Sequence, residues 1–288
     1  MRGPRLGAHM SIAGEPANAL RLGHSIGCET IQIFTRSPNR WKAPPLTDEQ
    51  AIAFRALRSE LGIEPIVAHS AYLINLAAPA DPLWERSLGA AQEEMVRCAR
   101  LGVGDYVIHP GAHTGSGELP GLRRIFQALI LLLDATAEGG VRILLETTSG
   151  AGTHLGYRLE HLAWLIEQAG ASERLGVCLD TAHVFGAGYE LSDGASYRSF
   201  WSEFDTLIGI ERLGAIHLND SKKERGSRGD RHELIGDGLI GIEAFARLVN
   251  DARLAHVPMI LETPKGPDLR DDVRNLALLR SLIKQNLS

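Results

Sequence analysis

The stretch Val141-Arg142-Ile143-Leu144-Leu145-Glu146 is a short, nearly continuous apolar run that ends on a carboxylate. A strand with one wet face alternates apolar and polar residues. A run without that alternation is expected where both faces are buried, as in a parallel sheet. Comparable runs are Ile31-Gln32-Ile33-Phe34, Pro65-Ile66-Val67-Ala68, Tyr106-Val107-Ile108, Gly176-Val177-Cys178-Leu179, Leu213-Gly214-Ala215-Ile216 and Pro258-Met259-Ile260-Leu261, with a weaker first one over Arg5 to Ala8. The residues expected just after these strands are His9, Thr35, His69, His109, Glu146, Asp180, His217 and Glu262. Successive ends are separated by roughly the length of one β-α unit.

Helical patterns fill the intervals. Thr47 with Gln50 forms a capping box ahead of Ala51-Ile52-Ala53-Phe54. Asp81-Pro82 is expected to place an N-cap and a first-turn proline on a long helix that ends near Leu101-Gly102. Gly27, Gly62 and Gly170 fall just past other helix ends. The last helix is expected over Leu269 to Gln285. No Pro/Gly/Ser-rich linker breaks the rhythm. Eight β-α units of this size predict a single (β/α)8 TIM barrel, one domain over residues 1–288, with its active site at the C-terminal mouth of the strands.

Six of the eight strand ends carry a metal-capable residue at one offset: His69, His109, Glu146, Asp180, His217 and Glu262. Packing has no reason to repeat such a choice. His183, Asp230 and His232 follow in the adjoining loops. Barrel closure would bring all nine to one mouth. Nine N/O donors suffice for about three divalent ions if a carboxylate is shared. A mixed His/carboxylate set without Cys suits Zn2+, and also Mn2+ or Fe2+. His24 and His161 fall in helical patterns and His256 in a loop, while His9 and His113 fall at the mouth as groups that could orient ligands. Lys222, Lys223, Arg225, Arg228 and Arg231 lie between or beside His217, Asp230 and His232. A site for both metal ions and a phosphate backbone needs such a mixture.

Hydrophobic content is 44% and charged content 23%, ordinary for a globular chain with a sizeable core. The longest apolar stretch, Ala128 to Leu133, is far too short to span a membrane. No apolar signal-peptide core follows Met1-Arg2-Gly3-Pro4-Arg5, so a cytoplasmic protein is expected. Cys28, Cys98 and Cys178 are isolated and odd in number, as expected of reduced packing residues. A net charge of −5 argues against a generic nucleic-acid binder, but bound divalent ions would reverse its sign.

Several stretches carry a family resemblance over essentially the whole length. They are Gly7-Ala8-His9 with Ser11, His69-Ser70-Ala71-Tyr72-Leu73-Ile74-Asn75-Leu76, His109-Pro110-Gly111, Glu146-Thr147, and Gly176 through Asp180-Thr181-Ala182-His183. They continue with His217-Leu218-Asn219-Asp220-Ser221-Lys222, Asp230-Arg231-His232, Ile235-Gly236-Asp237-Gly238 and Ile260-Leu261-Glu262-Thr263. With these residues the chain resembles endonuclease IV, the zinc-dependent apurinic/apyrimidinic (AP) endonuclease family of base-excision repair.

The resemblance implies three zinc ions. One would be held by His69, His109 and Glu146, a second by Glu146, Asp180, His217 and Glu262, and the third by His183, Asp230 and His232. It implies hydrolysis 5′ to abasic sites in duplex DNA by metal-activated hydroxide. The products carry a 3′-hydroxyl, and 3′-blocking groups are further substrates. Glu146 and Glu262 are the implied catalytic carboxylates. Tyr72 and Leu73 match residues that the family inserts into the minor groove, and Arg40, Lys222, Arg228 and Arg231 are candidate DNA contacts. A monomer is expected. The chain departs from the family at two places. Thr147-Thr148-Ser149-Gly150-Ala151-Gly152 stands where Asn-Thr-Ala-Gly-Gln-Gly is usual, and Asn39 stands where an Arg usually sits two residues before Trp41. Two other readings compete. A sugar isomerase or epimerase on the same barrel would use one or two metals, and a DNA-binding protein without catalysis would not nick.

Overall fold

A computed structural model describes residues 3–266 and 268–284. The ends of the expected 1–288 domain, and Gln285 at the end of the expected last helix, lie outside the described residues. Eight strands close into a parallel barrel: β1 (Leu6–Met10), β2 (Thr30–Phe34), β3 (Ile66–His69), β4 (Asp105–Ile108), β5 (Arg142–Glu146), β6 (Leu175–Asp180), β7 (Leu213–His217) and, after the two-residue pair β8 (Asp220–Ser221) and β9 (His232–Glu233), β10 (Met259–Leu261). Going round, the order is β1-β10-β7-β6-β5-β4-β3-β2. The expected (β/α)8 barrel is therefore present, and the pair β8-β9 stands outside it.

Helices α1 (Ala17–Ser25), α2 (Asp48–Leu61), α3 (Asp81–Leu101), α4 (Glu118–Ala135), α5 (Leu159–Gln168), α6 (Thr181–Ala187), α7 (Gly194–Leu207), α8 (Ile242–Asn250) and α9 (Arg270–Leu282) alternate with the barrel strands. The Thr47/Gln50 capping box forms in full. The start of α3 differs from expectation. Ala80 is its N-cap and Asp81 is already helical. The Asp81 carboxylate instead accepts from Arg124 Nη2 at 2.8 Å, so an ion pair with α4 replaces the cap. All three cysteines are buried thiols. Among the described residues no helix is long and apolar enough to cross a membrane.

Two apolar layers set the site. The larger lies between strands and helices. The smaller fills the barrel with Val67, Val107, Leu144, Cys178, Ala215 and Ile260, one from each of six strands. Side chains alternate across a strand, so the residue two positions on points the same way. Those residues are His69, His109, Glu146, Asp180, His217 and Glu262. The constant offset seen in the sequence is thus the next inward layer of the barrel, at its open end.

Asp220 anchors the segment that brings Asp230 and His232 over this layer. Its fully buried carboxylate accepts four amides: Ser221 N at 2.8 Å, Gly236 N at 2.9 Å, Gly238 N at 3.2 Å and Ile240 N at 3.0 Å. A side chain at Gly238 would put its Cβ 2.4 Å from Asp220 Oδ1, so the backbone can only approach this closely as glycine. Asp220→Ala leaves four buried donors without their acceptor. The expected cost is roughly 3 kcal/mol, read in thermal unfolding as a midpoint lowered by about 6–12 °C. An unchanged midpoint would show that the loop does not depend on this carboxylate.

Candidate metal centre

All nine candidate ligands meet at the barrel mouth. Among the described residues three groups have donor atoms close enough to hold a cation: His69, His109 and Glu146; Glu146, Asp180, His217 and Glu262; and Asp180, His183 and His232. The first two match the expected sets. The third takes Asp180 where Asp230 was expected, while Asp230 lies beside it, 3.4 Å from His183 Nε2 and 3.5 Å from His232 Nε2. Glu146 is the hub. Its Oε2 is 3.0 Å from the Nε2 atoms of His69 and His109, and its Oε1 is 3.2 Å from the Nδ1 atoms of His183 and His217. Glu262 Oε2 approaches His217 Nδ1 at 3.1 Å.

The ring orientations fit metal ligation. His69 Nδ1 faces the Ser70 carbonyl at 2.8 Å, His183 Nδ1 the Thr147 carbonyl at 2.8 Å, His232 Nδ1 the Glu262 carbonyl at 3.1 Å, and His217 Nε2 the Gln32 amide oxygen at 2.7 Å. Each ring can donate one N–H to a fixed protein oxygen and turn its other nitrogen to the carboxylates, the arrangement by which outer partners orient metal-binding histidines. Among the described residues His232 Nε2 is buried without a hydrogen-bond partner, 3.6 Å from Asp180 and 3.5 Å from Asp230. An orphaned nitrogen between two carboxylates suits a cation bound among all three. Glu146 and Asp180 are wholly buried, which requires positive charge nearby.

The site's electrostatics agree. Burial pushes the Glu146 carboxyl up, but the charges of His109 and His217 outweigh it and hold the group well below the usual range. Burial likewise opposes ionisation of Asp230, yet its hydrogen bond to His183 and the charges of His183, His232 and His109 bring it down to about 2. Burial lowers His183, but Asp180, Asp230 and Glu146 raise it well above its ordinary value. Protons and metal ions therefore compete for the same nitrogens.

Two supporting residues escaped the sequence reading. Gln32 reaches His9 Nδ1 at 3.0 Å, Glu262 Oε1 and His217. Its only signal is an amide between Ile31 and Ile33 in a strand buried on both faces. Asn219 donates to Asp180 Oδ2 at 2.7 Å and accepts the Glu262 amide at 2.9 Å. His9 lies within β1, not after it, and stands 3.5 Å from Glu262. His113 is elsewhere: its Nδ1 accepts the Gly115 and Gly117 amides in a turn. At the first departure from the family pattern, Thr147 still takes part, accepting the Asp180 amide through its hydroxyl at 2.9 Å.

The mouth is a cavity of about 340 Å³, lined by His9, Phe34, Tyr72, Lys265 and, of the candidate ligands, His69, His109, His183, Asp230, His232 and Glu262. Tyr72 is 65% exposed and stands edge-on to Phe34, with Leu73 half-buried beside it. Arg40 is exposed next to Trp41, whose ring lies under the Arg86 guanidinium. Lys222, Lys223, Arg225, Arg228 and Arg231 are all exposed. Lys222 leans on Glu233, Arg225 on Glu190, and the Arg228 guanidinium stacks over Tyr157 at 4.5 Å. The loop they occupy is docked on α6, with Arg228 N donating to Gly186 O. A Cβ on Gly186 would lie 2.7 Å from Gly229 O, so the contact needs glycine.

Residues 20–282 match the family described as xylose isomerase-like TIM barrels. A protein of Chloroflexus aurantiacus called probable endonuclease 4 is 52% identical, over 98% of this chain and 99% of its own length. The chain belongs to the endonuclease IV family. The crystal structure of endonuclease IV from Thermus thermophilus is 38% identical, covers 97% of this chain and 98% of its own, and superposes with a TM-score of 0.85. A D-tagatose 3-epimerase-like protein superposes at 0.73 with 20% identity, covering 96% of each chain, a likeness of fold alone. Endonuclease IV membership therefore favours the nuclease among the readings open at the sequence.

Proposed function

We propose that this protein cuts duplex DNA on the 5′ side of abasic sites, leaving a 3′-hydroxyl, as an enzyme of base-excision repair. The observation that carries this reading is the convergence of eight His, Asp and Glu residues into overlapping cation-binding groups, with Asp230 beside them, beneath an exposed basic loop. The donor set fits three zinc ions, with Mn2+ or Fe2+ as substitutes. When bound, such ions supply Lewis-acid charge to phosphate oxygens and acidify water.

The chain's own residues do the rest. Glu262 offers a carboxylate oxygen at the mouth to take a proton from the attacking water, and Gln32 and His9 hold that carboxylate in place. Tyr72 and Leu73 form a wedge that enters the minor groove, where unstacking costs about a few kcal/mol per step. An abasic nucleotide lacks a base to unpair, so it is extruded more cheaply than a normal one. Exposed Lys222, Arg228, Arg231 and Arg40 meet phosphates. The same centre accepts 3′-blocking groups.

A nicking assay on a duplex with one abasic site tests this. Cutting should be 5′ to the lesion, leave an end that a polymerase extends, stop with chelator and return with zinc, at about three ions per chain. No cutting by the metal-loaded protein, or cutting indifferent to chelator, would overturn the reading.

A further inference from the structure

A buried carboxylate outside the metal groups ties together the two loops proposed to meet the DNA. Glu94 lies on α3 and is 1% exposed. A charge so placed is costly unless paired and hydrogen-bonded. Its partners come from three parts of the fold. Oε1 accepts Arg36 Nε at 2.5 Å; Oε2 accepts the Tyr106 hydroxyl at 2.7 Å and the Ala71 amide at 3.2 Å. Burial, then the charge of Glu94, pushes the Tyr106 phenol well above its ordinary range, so it stays a donor.

Arg36 is equally buried, and its Nη1 donates to the Trp41 carbonyl at 2.7 Å. Arg36 and Trp41 thereby close the loop that carries Asn39 and Arg40 at its tip. Ala71 immediately precedes Tyr72 and Leu73. The two tips also touch, since the Tyr72 amide donates to the Pro38 carbonyl at 3.1 Å. Tyr106 is a strand residue of β4, so the whole arrangement is fixed to the barrel wall.

We propose that Glu94 is a positioning residue for DNA binding, which, through Arg36 and the Ala71 amide, locks loops 36–41 and 70–74 into one unit. It rests on the reading that these loops engage abasic duplex. Glu94→Gln keeps the shape but removes the charge opposite Arg36 and turns an acceptor into a donor. The metal-loaded variant should show a KM for abasic duplex raised roughly tenfold, with kcat and metal content changed far less. Deuterium uptake should rise in peptides covering 36–41 and 70–74 and not in the barrel strands. Tyr72→Ala should weaken binding of an uncleavable abasic duplex in the parent, and by much less in the Glu94→Gln background. Where Glu94→Gln lowers the yield of folded protein, Tyr106→Phe, which removes one donor and leaves the ion pair, serves the same comparisons with a smaller expected rise in KM.

Additive effects of the two substitutions, or unchanged uptake in both loops, would overturn the proposal. A different pattern marks failure of the underlying reading: Tyr72→Ala without effect on duplex affinity in the parent protein. The exchange measurement reports on the coupling of the loops in either case.

Discussion

Glu146→Gln is expected to lower nicking of abasic duplex by more than about a thousandfold and to cut the bound metal to roughly one ion per chain. Glu146 belongs to two of the three cation-binding groups. Its two oxygens face four histidines at 3.0–3.2 Å. A glutamine offers one neutral oxygen, puts an NH2 that cannot ligate a cation in place of the second, and brings no negative charge to the group. No water can stand in for the lost charge, because the side chain is wholly buried at the head of the barrel-interior layer. The group of Asp180, His183 and His232 keeps its donors, so one ion should remain. Metal analysis of the purified variant beside a nicking time course checks both halves. A variant that held its full metal complement would show that Glu146 is not the shared ligand.

Much of this centre was legible from the strand ends because a barrel turns pleat into convergence. Leu144 faces the axis, so Glu146 does too, and the same two-residue step links Val67 to His69 and Ile260 to Glu262. The sequence reading placed these residues just past the strands; in the structure four of the six are the last strand residues, and His109 and Glu262 follow at once. Less legible was anything that depends on which strands are neighbours. Gln32 matters because β2 lies two strands from β10 around the barrel, across β1, so its amide reaches both His217 and Glu262. Nothing local distinguishes it from a misplaced polar residue.

Glu94 and Asp220 show the same limit from the other side. Glu94 follows Glu93 in a helix with an amphipathic pattern, and Glu93 is half-exposed while Glu94 is buried. Adjacent carboxylates of one type differ only by their angle around the helix. Asp220 sits in a stretch whose nearest charges, Lys222 and Lys223, suggest a solvated loop, yet it is the buried anchor of that loop. Asp81 reads as an N-cap until Arg124 from the next helix takes its carboxylate. In each case a long-range partner outcompetes the local pattern.

Glu262→Gln should separate chemistry from assembly. Glu262 contributes to one cation-binding group only, and that group keeps Glu146, Asp180 and His217 without it. It also differs from Glu146 in position: its side chain is 17% exposed and lines the mouth cavity. Burial works against its ionisation, but the charge and hydrogen bond of His217, with His9, hold its carboxyl well below the ordinary range. Glu262 is therefore an anion lining the mouth cavity, held there by Gln32 and His9. The amide variant keeps the oxygen and the size but not the basicity. With about three ions still bound, turnover of abasic duplex should fall by roughly a hundred- to ten-thousandfold, the range ascribed to a single positioned acid-base group. The dissociation constant for an uncleavable abasic duplex should stay near that of the parent. Near-parental turnover with metals bound would remove Glu262 from the chemistry and leave it a ligand alone. Loss of metal together with turnover would place it beside Glu146 as part of the scaffold.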